Sequence, residues 1–206
     1  MKIGFDKHFF HEAEDVVQQA MSEMEALVRS LGWEIVHVKL PHPDEVARVH
    51  DAIVAKEATG IHGPHFEQTA DLQKPVVRST IEFGSSVTSE QYERACHSRV
   101  ELAQEISKLF EQADVLMLPT MPCLPPRKTD TMLKLGNRCY PIDDYLRRYT
   151  SLFNLSRHPV ISIPVKSISP GIGVSLQFAG PHDSDEQLLE IVGSVAKILE
   201  GDKKSA

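Results

Sequence analysis

The sequence of 206 residues contains 41% hydrophobic and 25% charged residues, proportions typical of a soluble globular protein with a substantial core. Its formal net charge is −7, and lysines and arginines never cluster beyond a pair, which excludes the basic patch that nucleic-acid binding requires. No apolar run approaches the roughly 20 residues that a membrane-spanning helix needs, so we expect no membrane partner.

The first part of the chain predicts alternating strands and helices. A short apolar run predicts a strand from Lys2 to Phe5, and apolar residues at helical spacing predict a helix from Glu12 to Leu31. A second strand is predicted from Trp33 to Leu40, followed by a helix that contains Val46, Val49 and Ile53. This order favours parallel strands joined by crossover helices.

The middle of the chain contains a glycine-serine run, Gly84-Ser85-Ser86, of the kind that serine hydrolases use at a nucleophile. The run has one glycine, follows no recognisable strand, and precedes a strong helical pattern from Thr88 to Gln112. We therefore interpret it as a polar linker. Thr88 and Gln91 fit a capping box at the start of that helix. Residues 59–73 have no period and predict a loop.

The last part predicts a buried strand from Asp114 to Pro119, followed by a proline-rich loop. A helical stretch is predicted from Tyr140 to Asn154, then two strands within residues 160–165 and 174–180, and a final amphipathic helix. No interior linker divides the chain, so we treat residues 1–206 as one unit. The predicted fold class is α/β, with a mixed, mainly parallel sheet and flanking helices.

Two motifs in this last part resemble the carboxyl-terminal half of the amidase signature family. Members of that family carry a Phe-Asn stretch that leads into Pro-x-Ile-Ser-x-Pro, then a Gln-x-x-Gly strand and an amphipathic closing helix. The matching residues in this sequence are Phe153, Asn154, Pro159, Ile161, Ser162, Pro164, Gln177 and Gly180. The resemblance covers nearly the whole chain and is weakest over residues 59–73 and 124–139, where we expect substrate selectivity to reside.

The resemblance implies a function in amide chemistry. The family hydrolyses or transfers amide groups with a Ser, cis-Ser, Lys triad and a glycine-serine loop that holds the oxyanion, all in its amino-terminal half. This sequence begins after that half, so the resemblance implies no catalytic residue here, and no metal or cofactor. The full-length form would act on a small-molecule amide.

Three hypotheses follow from the absence of the triad. The chain is a carboxyl-terminal fragment of an amidase that is inactive alone, or a non-catalytic partner that completes a separate amino-terminal half. An orphan half would expose apolar sheet and favour association, including self-association. The third hypothesis is an independent hydrolase that uses Ser85, Ser86 or Cys123.

Four residues are candidates for substrate binding on family grounds. Some amidotransferase members bind their amine donor or substrate through an acidic residue near Asp143 and Asp144, although such residues also complement a helix dipole. Arg78 lies where members often carry an arginine, and a surface salt bridge is its alternative role. Thr120 follows a strand at a turn that approaches the family's substrate pocket, and its alternative role is to close that turn.

The remaining polar residues favour structural roles. His62 and His65 have acidic neighbours, but their glycine-rich, aperiodic surroundings argue against a zinc site. Gln177 lies within an apolar strand, so we expect it to form a structural hydrogen bond to a neighbouring loop. Three cysteines without metal-ligand spacing, together with an amino terminus that lacks a signal sequence, predict reduced thiols and a cytoplasmic location.

Overall fold

A computed structural model describes residues 1–69, 74–135 and 138–203. They form a five-stranded sheet with packed helices and a separate two-stranded hairpin. In chain order the elements are β1 (Lys2–Phe5), α1 (Asp15–Ser30), β2 (Glu34–His37), α2 (Pro43–Thr69), α3 (Pro75–Ser86), α4 (Ser89–Leu109), β3 (Val115–Pro119), β4 (Met132–Leu135), β5 (Arg138–Pro141), α5 (Ile142–Leu146), α6 (Ser151–Ser156), β6 (Val160–Ser169), β7 (Ile172–Ala179) and α7 (Asp185–Lys203).

The large sheet has the strand order β2-β1-β3-β7-β6. β1 pairs in parallel with both β2 and β3, and β7 pairs antiparallel with both β3 and β6. Four strands therefore point in one direction and β7 points in the other. This arrangement confirms the predicted mixed, mainly parallel sheet.

The core lies between this sheet and the helices packed on it. Of the central strands, β3 is wholly buried and β1 and β7 are mostly buried. Four of the apolar positions of α1 that helical spacing predicted are also buried: Val17, Met21, Met24 and Val28. The side chains that lie deepest include Ile3, Phe5, Met21, Leu116, Met117, Leu118, Leu176 and Phe178. Burial of this apolar surface is the main source of stability for such a sheet.

The predicted capping box is present at the start of α4. The Thr88 hydroxyl accepts a hydrogen bond from the Gln91 N–H at 3.2 Å, and the Gln91 side-chain oxygen accepts one from the Thr88 N–H at 2.8 Å. Two amides that the first helical turn leaves unbonded are thereby satisfied, so the helix begins where the sequence predicted. Within the described ranges, no helix is long and apolar enough to cross a membrane.

The prediction of a loop over residues 59–73 was wrong for most of its length. The helix α2 continues through Gly60, Gly63 and Pro64 to Thr69, and residues 70–73 lie outside the described part of the chain. Tertiary packing overrides the weak helix propensity of these residues, because α3 lies directly along α2.

The region before Thr88 is also helical, contrary to the predicted linker. α3 begins at Pro75, whose fixed φ suits the first helical turn, and ends at Ser86. The hydroxyls of Ser85 and Ser86 donate to the carbonyl oxygens of Ile81 and Phe83, at 3.0 and 2.7 Å. Ser85 and Ser86 therefore end a helix, where the sequence predicted a polar linker.

The stretch from Tyr140 to Asn154 was predicted as one helix and forms two. The short helices α5 and α6 are separated by a turn over residues 147–150, which carries two arginines. The hairpin of β4 and β5 just before them was not predicted. Two side chains of this turn, those of Arg147 and Arg148, line a groove in the structure.

Candidate functional site

A groove of about 900 Å³ lies between α2, α3 and the segment from Tyr140 to Arg148. One end is charged and is lined by Asp44, Arg48, Asp51, Asp144, Arg147 and Arg148. The other end is mainly apolar and is lined by Val54, Ala55 and Phe83, with the hydroxyls of Ser79 and Thr80 beside them. A concave surface that combines apolar area with a few polar groups is typical of a small-molecule site.

One face of helix α2 forms a wall of the groove. Residues three and four apart lie on one helix face, which places Asp44, Arg48, Asp51 and Ala55 in a row. From α3, Phe83 reaches into the groove and remains half exposed, at 50%. Its ring provides apolar surface that a ligand would cover.

Arg148 anchors the charged end of the groove. Its guanidinium donates to the Asp44 carboxylate and, at 2.9 Å, to Glu12, and it lies 5.2 Å from the centre of the Tyr145 ring. Burial alone would raise the pKa of Asp44, but the hydrogen bond and charge of Arg148 lower it below its ordinary value. Arg148 therefore connects the segment between β1 and α1 to the start of α2.

Arg147 makes a second cluster next to the first. It contacts Asp51 at 3.0 Å and Asp144 at 2.9 Å, and Asp51 also hydrogen bonds with His50 at 3.0 Å. Burial alone would raise the pKa of Asp51, but the hydrogen bond with His50 and the charge of Arg147 lower it. Asp44 and Asp51, which both line the charged end, are thus held in their ionised form.

Only one of the four residues proposed for substrate binding lines this groove. Asp144 does so, whereas its neighbour Asp143 is exposed beside it and does not. Arg78 is half-buried in the first turn of α3, on the helix that forms the opposite wall, and it is not among the lining residues.

Thr120 lies elsewhere, at the end of β3. Its hydroxyl forms a 2.7 Å hydrogen bond with that of Ser162, and its N–H donates to the Ser175 carbonyl oxygen at 3.0 Å. Nearby, the buried amide of Gln177 donates to the carbonyl oxygens of Pro119 and Tyr149, at 3.0 and 3.2 Å. The expected structural hydrogen bond of Gln177 to a neighbouring loop is confirmed.

The residues that sequence reasoning missed are the arginines and their distant partners. Arg147 and Arg148 form the single Arg-Arg pair of the sequence, which was a visible signal. Their partners Glu12, Asp44 and Asp51 lie about a hundred residues away in sequence, and no sequence pattern pointed to these three residues.

The thiol and histidine candidates are not arranged for catalysis or metal binding. Cys123 is buried, and burial followed by the charge of Glu14 raises the pKa of its thiol to about 11, so the reactive thiolate is scarce at neutral pH. Among the residues that the structure describes, no group of three His, Cys, Asp or Glu side chains is placed to hold a metal ion.

A separate polar cluster surrounds His158 between α4 and α7. One ring nitrogen lies 3.0 Å from the Ser156 hydroxyl, the other lies 3.3 Å from the Ser107 hydroxyl, and the ring stacks on His182 at 3.9 Å. Burial, then the charge of His182, lowers the pKa of His158 to about 4. The buried ring is therefore neutral at physiological pH.

Because the folded chain holds His158 neutral, we expect the free energy of unfolding to fall in acid. In the unfolded chain His158 titrates near 6.5, so between pH 6.5 and 4 the unfolded state binds more protons than the folded state. The contribution is complete above pH 6.5 and falls by about 3 kcal/mol as the pH decreases to 4. Urea unfolding of the chain and of His158→Gln at several pH values measures the difference in slope.

His97, which is exposed on α4, provides the matched control. His97→Gln removes an imidazole from the surface and leaves the buried cluster intact, so it controls for the loss of a histidine as such. An unchanged slope in His158→Gln would show that other groups cause the acid sensitivity.

A family model, curated sequences and solved structures were each compared with the chain, and all three comparisons match proteins of amide chemistry. The family model described as Amidase matches residues 1–189. The chain is 24% identical over 201 residues to a fatty acid amide hydrolase of Oryza sativa subsp. indica, and 25% identical over 224 aligned residues to a glutamyl-tRNA(Gln) amidotransferase subunit from Clostridium acetobutylicum. A crystal structure of an amidase superposes with a TM-score of 0.87 at 24% identity.

These relatives are longer than the chain. The matches cover 96% of the chain in both sequences and 95% in the crystal structure, but only 33% of the hydrolase and 45% each of the crystallised amidase and the amidotransferase subunit. The chain therefore spans between a third and a half of the length of proteins with which it shares its fold.

Proposed function

The chain belongs to the amidase family, and from that premise we propose that it forms the carboxyl-terminal part of a catalytic unit that hydrolyses or transfers carbon–nitrogen amide groups. The match over residues 1–189, together with the partial coverage of the relatives, carries this proposal. In this assignment the nucleophilic serine, the bridging serine and the lysine belong to the amino-terminal half, and the chain has no activity alone.

The groove between α2 and α3 is the part of the substrate cleft that this chain contributes. Its apolar end, with the exposed faces of Phe83 and Val54, would hold the hydrophobic portion of an amide. Its charged end offers oriented groups, Asp144 and Arg147, at which polar substituents of the substrate can bind. Thr120 and Arg78 remain candidates for substrate contact outside the groove.

The second candidate function is that of a non-catalytic partner in a two-chain enzyme. Two observations favour it. One relative is by name a subunit, the glutamyl-tRNA(Gln) amidotransferase subunit from Clostridium acetobutylicum. In addition, β6 has one edge that pairs with no other strand of the described residues. In both candidates the same surfaces of this chain meet an amino-terminal half.

An independent hydrolase is disfavoured by the geometry of its candidate nucleophiles. Both serines hydrogen bond to main-chain carbonyl oxygens within α3, and no histidine or lysine base contacts them among the hydrogen bonds of the described residues. Cys123 is buried with a raised pKa.

The test is an amide-hydrolysis assay of the chain alone and mixed with an amino-terminal half of an intact family amidase. We expect turnover of p-nitroanilide or arylamide substrates only in the mixture, and unchanged turnover in Ser85→Ala and Ser86→Ala. Hydrolysis by the chain alone that Ser86→Ala abolishes would refute the proposal.

Substitution of two adjacent aspartates tests whether the substrate binds in the groove. Asp144→Asn is expected to raise KM several-fold in the mixture, because it removes a charged group of the groove and one of the two carboxylates that hold Arg147. Asp143→Asn is the matched control, since Asp143 lies outside the lining, and its KM should equal that of the parent. Equal KM values in both variants would place the substrate elsewhere.

A further inference from the structure

Arg48 differs from the other arginines at the charged end of the groove. The ion pairs of this end are Arg138–Glu12, Arg148–Glu12, Arg148–Asp44, Arg147–Asp51 and Arg147–Asp144. Each of these carboxylates therefore already contacts an arginine. Arg48 also lines the groove, but among the described residues its side chain forms no ion pair or hydrogen bond. Its charge acts on Asp44 from beyond the distance of an ion pair.

The exposed guanidinium of Arg48 offers an open position for an anionic group. A guanidinium carries five N–H donors in a planar fork and no acceptor, and the fork matches the two oxygens of a carboxylate. A cationic group at the same end would have to compete with the arginines that already hold the carboxylates. The charged end is therefore better suited to an anion than to a cation.

Arg147 lies close to this open position. It is held by Asp144 and by Asp51, which follows Arg48 by three residues on the same face of α2. Loss of Asp144 would leave Arg147 with Asp51 as its only carboxylate partner among these ion pairs, and its guanidinium would be less firmly placed. Two guanidinium groups, one open and one held in position, thus line the charged end.

The helix α2 sets the distance from Arg48 to the apolar end. Arg48 and Ala55 are seven residues apart, which corresponds to about 10 Å along the helix axis. α3 meets α2 at Ala55, since a Cβ on Gly84 would lie 1.9 Å from the Ala55 carbonyl oxygen, and Phe83 precedes that glycine. A ligand that covers Phe83 and also reaches Arg48 therefore separates its apolar and anionic groups by about 10 Å.

We propose that the groove selects an amide substrate that carries a free carboxylate, bound by Arg48, and an apolar chain or ring that covers Phe83 and Val54. This inference rests on the proposed function, because it takes the ligand of the groove to be the substrate of the catalytic unit. Both ends of the groove belong to this chain, so binding is measurable without the amino-terminal half.

Two ligands that differ only in charge test the inference. The monoanilide of octanedioic acid has a carboxylate at one end and an aromatic ring at the other, and its methyl ester lacks the charge. In isothermal titration calorimetry with the chain alone, we expect the ester to bind about tenfold more weakly than the acid. Added salt should weaken binding of the acid and leave that of the ester unchanged. Equal affinities, or no binding of the acid, would overturn the inference.

Substitution of Arg48 tests which group holds the carboxylate. Arg48→Gln should bind the acid about tenfold more weakly than the parent does, and no more tightly than it binds the ester. Arg48→Lys keeps the charge but not the fork, so its affinity for the acid should be intermediate. Arg48 is exposed and has no ion pair, so Arg48→Gln should unfold at the same urea concentration as the parent.

The matched control is Arg94→Gln, since Arg94 is exposed on α4 and lies outside the groove. This variant should bind the acid and the ester as the parent does. Parent-like binding of the acid by Arg48→Gln would place the carboxylate elsewhere and refute the inference.

The mixture with an amino-terminal half of an intact family amidase separates this inference from the proposed function. Both ligands are anilides, so their hydrolysis releases aniline. Hydrolysis of the acid and the ester with equal kcat/KM would leave the function standing and refute the selection of a carboxylate. Preferential binding of the acid that Arg48→Gln abolishes, without hydrolysis of either compound in the mixture, would support the carboxylate contact and refute the function.

Discussion

Replacing Arg148 with methionine is expected to lower the free energy of unfolding by about 3 kcal/mol. The Arg148 side chain is 8% exposed and neutralises both Glu12 and Asp44, so its removal leaves two carboxylates without their main partner. Breaking a buried ion pair from one side costs about 3–5 kcal/mol, and we expect the lower value because Glu12 and Asp44 retain some contact with water. Urea denaturation at pH 7 measures the loss.

The matched control is Arg94→Met on α4, where Arg94 and Glu90 form an exposed ion pair at 3.0 Å. Its expected effect is below about 0.5 kcal/mol. The parent should also lose stability as the pH falls below the ordinary pKa of Asp44, since that carboxyl titrates lower in the folded chain than in the unfolded chain. Arg148→Met should lose much of this acid dependence, and equal effects of the two arginine substitutions would contradict the ion-pair explanation.

Gly84→Ala is expected to cost about 3 kcal/mol, for a steric reason. A Cβ at this position would lie 1.9 Å from the Ala55 carbonyl oxygen and 2.2 Å from the Thr59 hydroxyl. The first of these atoms belongs to the backbone of α2, so α3 must move away from α2. Since both helices line the groove, the same change should weaken binding there. Thermal and urea unfolding measure the cost.

Gly193→Ala on α7 is the control, because a Cβ there would meet nothing within 4 Å. An added methyl group in an open helical position should stabilise the chain by about 0.5–1 kcal/mol. A destabilisation of similar size in both variants would contradict the steric explanation for Gly84. The contrast also explains Gly84-Ser85-Ser86, in which the glycine permits helix contact and the serines end a helix.

Local sequence signals predicted the elements whose stability is local. The capping box at Thr88 and Gln91, the apolar stripe of α1 and the compact strand β3 depend on neighbours a few residues away, and each was predicted. The helix α2 beyond Thr59 was missed, because Gly60, Gly63 and Pro64 favour a turn, whereas α2 remains helical there and packs against α3. A prediction from propensity alone does not include that contact.

The candidate site was harder to predict for the same reason. Asp144 was selected with Asp143 because some amidotransferase members bind their amine donor or substrate through an acidic residue nearby, and Asp144 does line the groove. The ion pairs that shape the groove join Arg148 to Glu12 across 136 residues and to Asp44 across 104. No periodicity links such positions. Their proximity depends on how the sheet brings the β1–α1 connection beside the turn after α5.

The strand order has a consequence for how the chain folds. β1 lies between β2 and β3, so β1 acquires its second neighbour only after residue 115 has been synthesised. The hairpin of β6 and β7, by contrast, closes through a turn at residues 170–171. Long-range pairing pays its loop-closure entropy before it gains contacts. We therefore expect this hairpin to form early and the pairing of β1 with β3 to limit the folding rate.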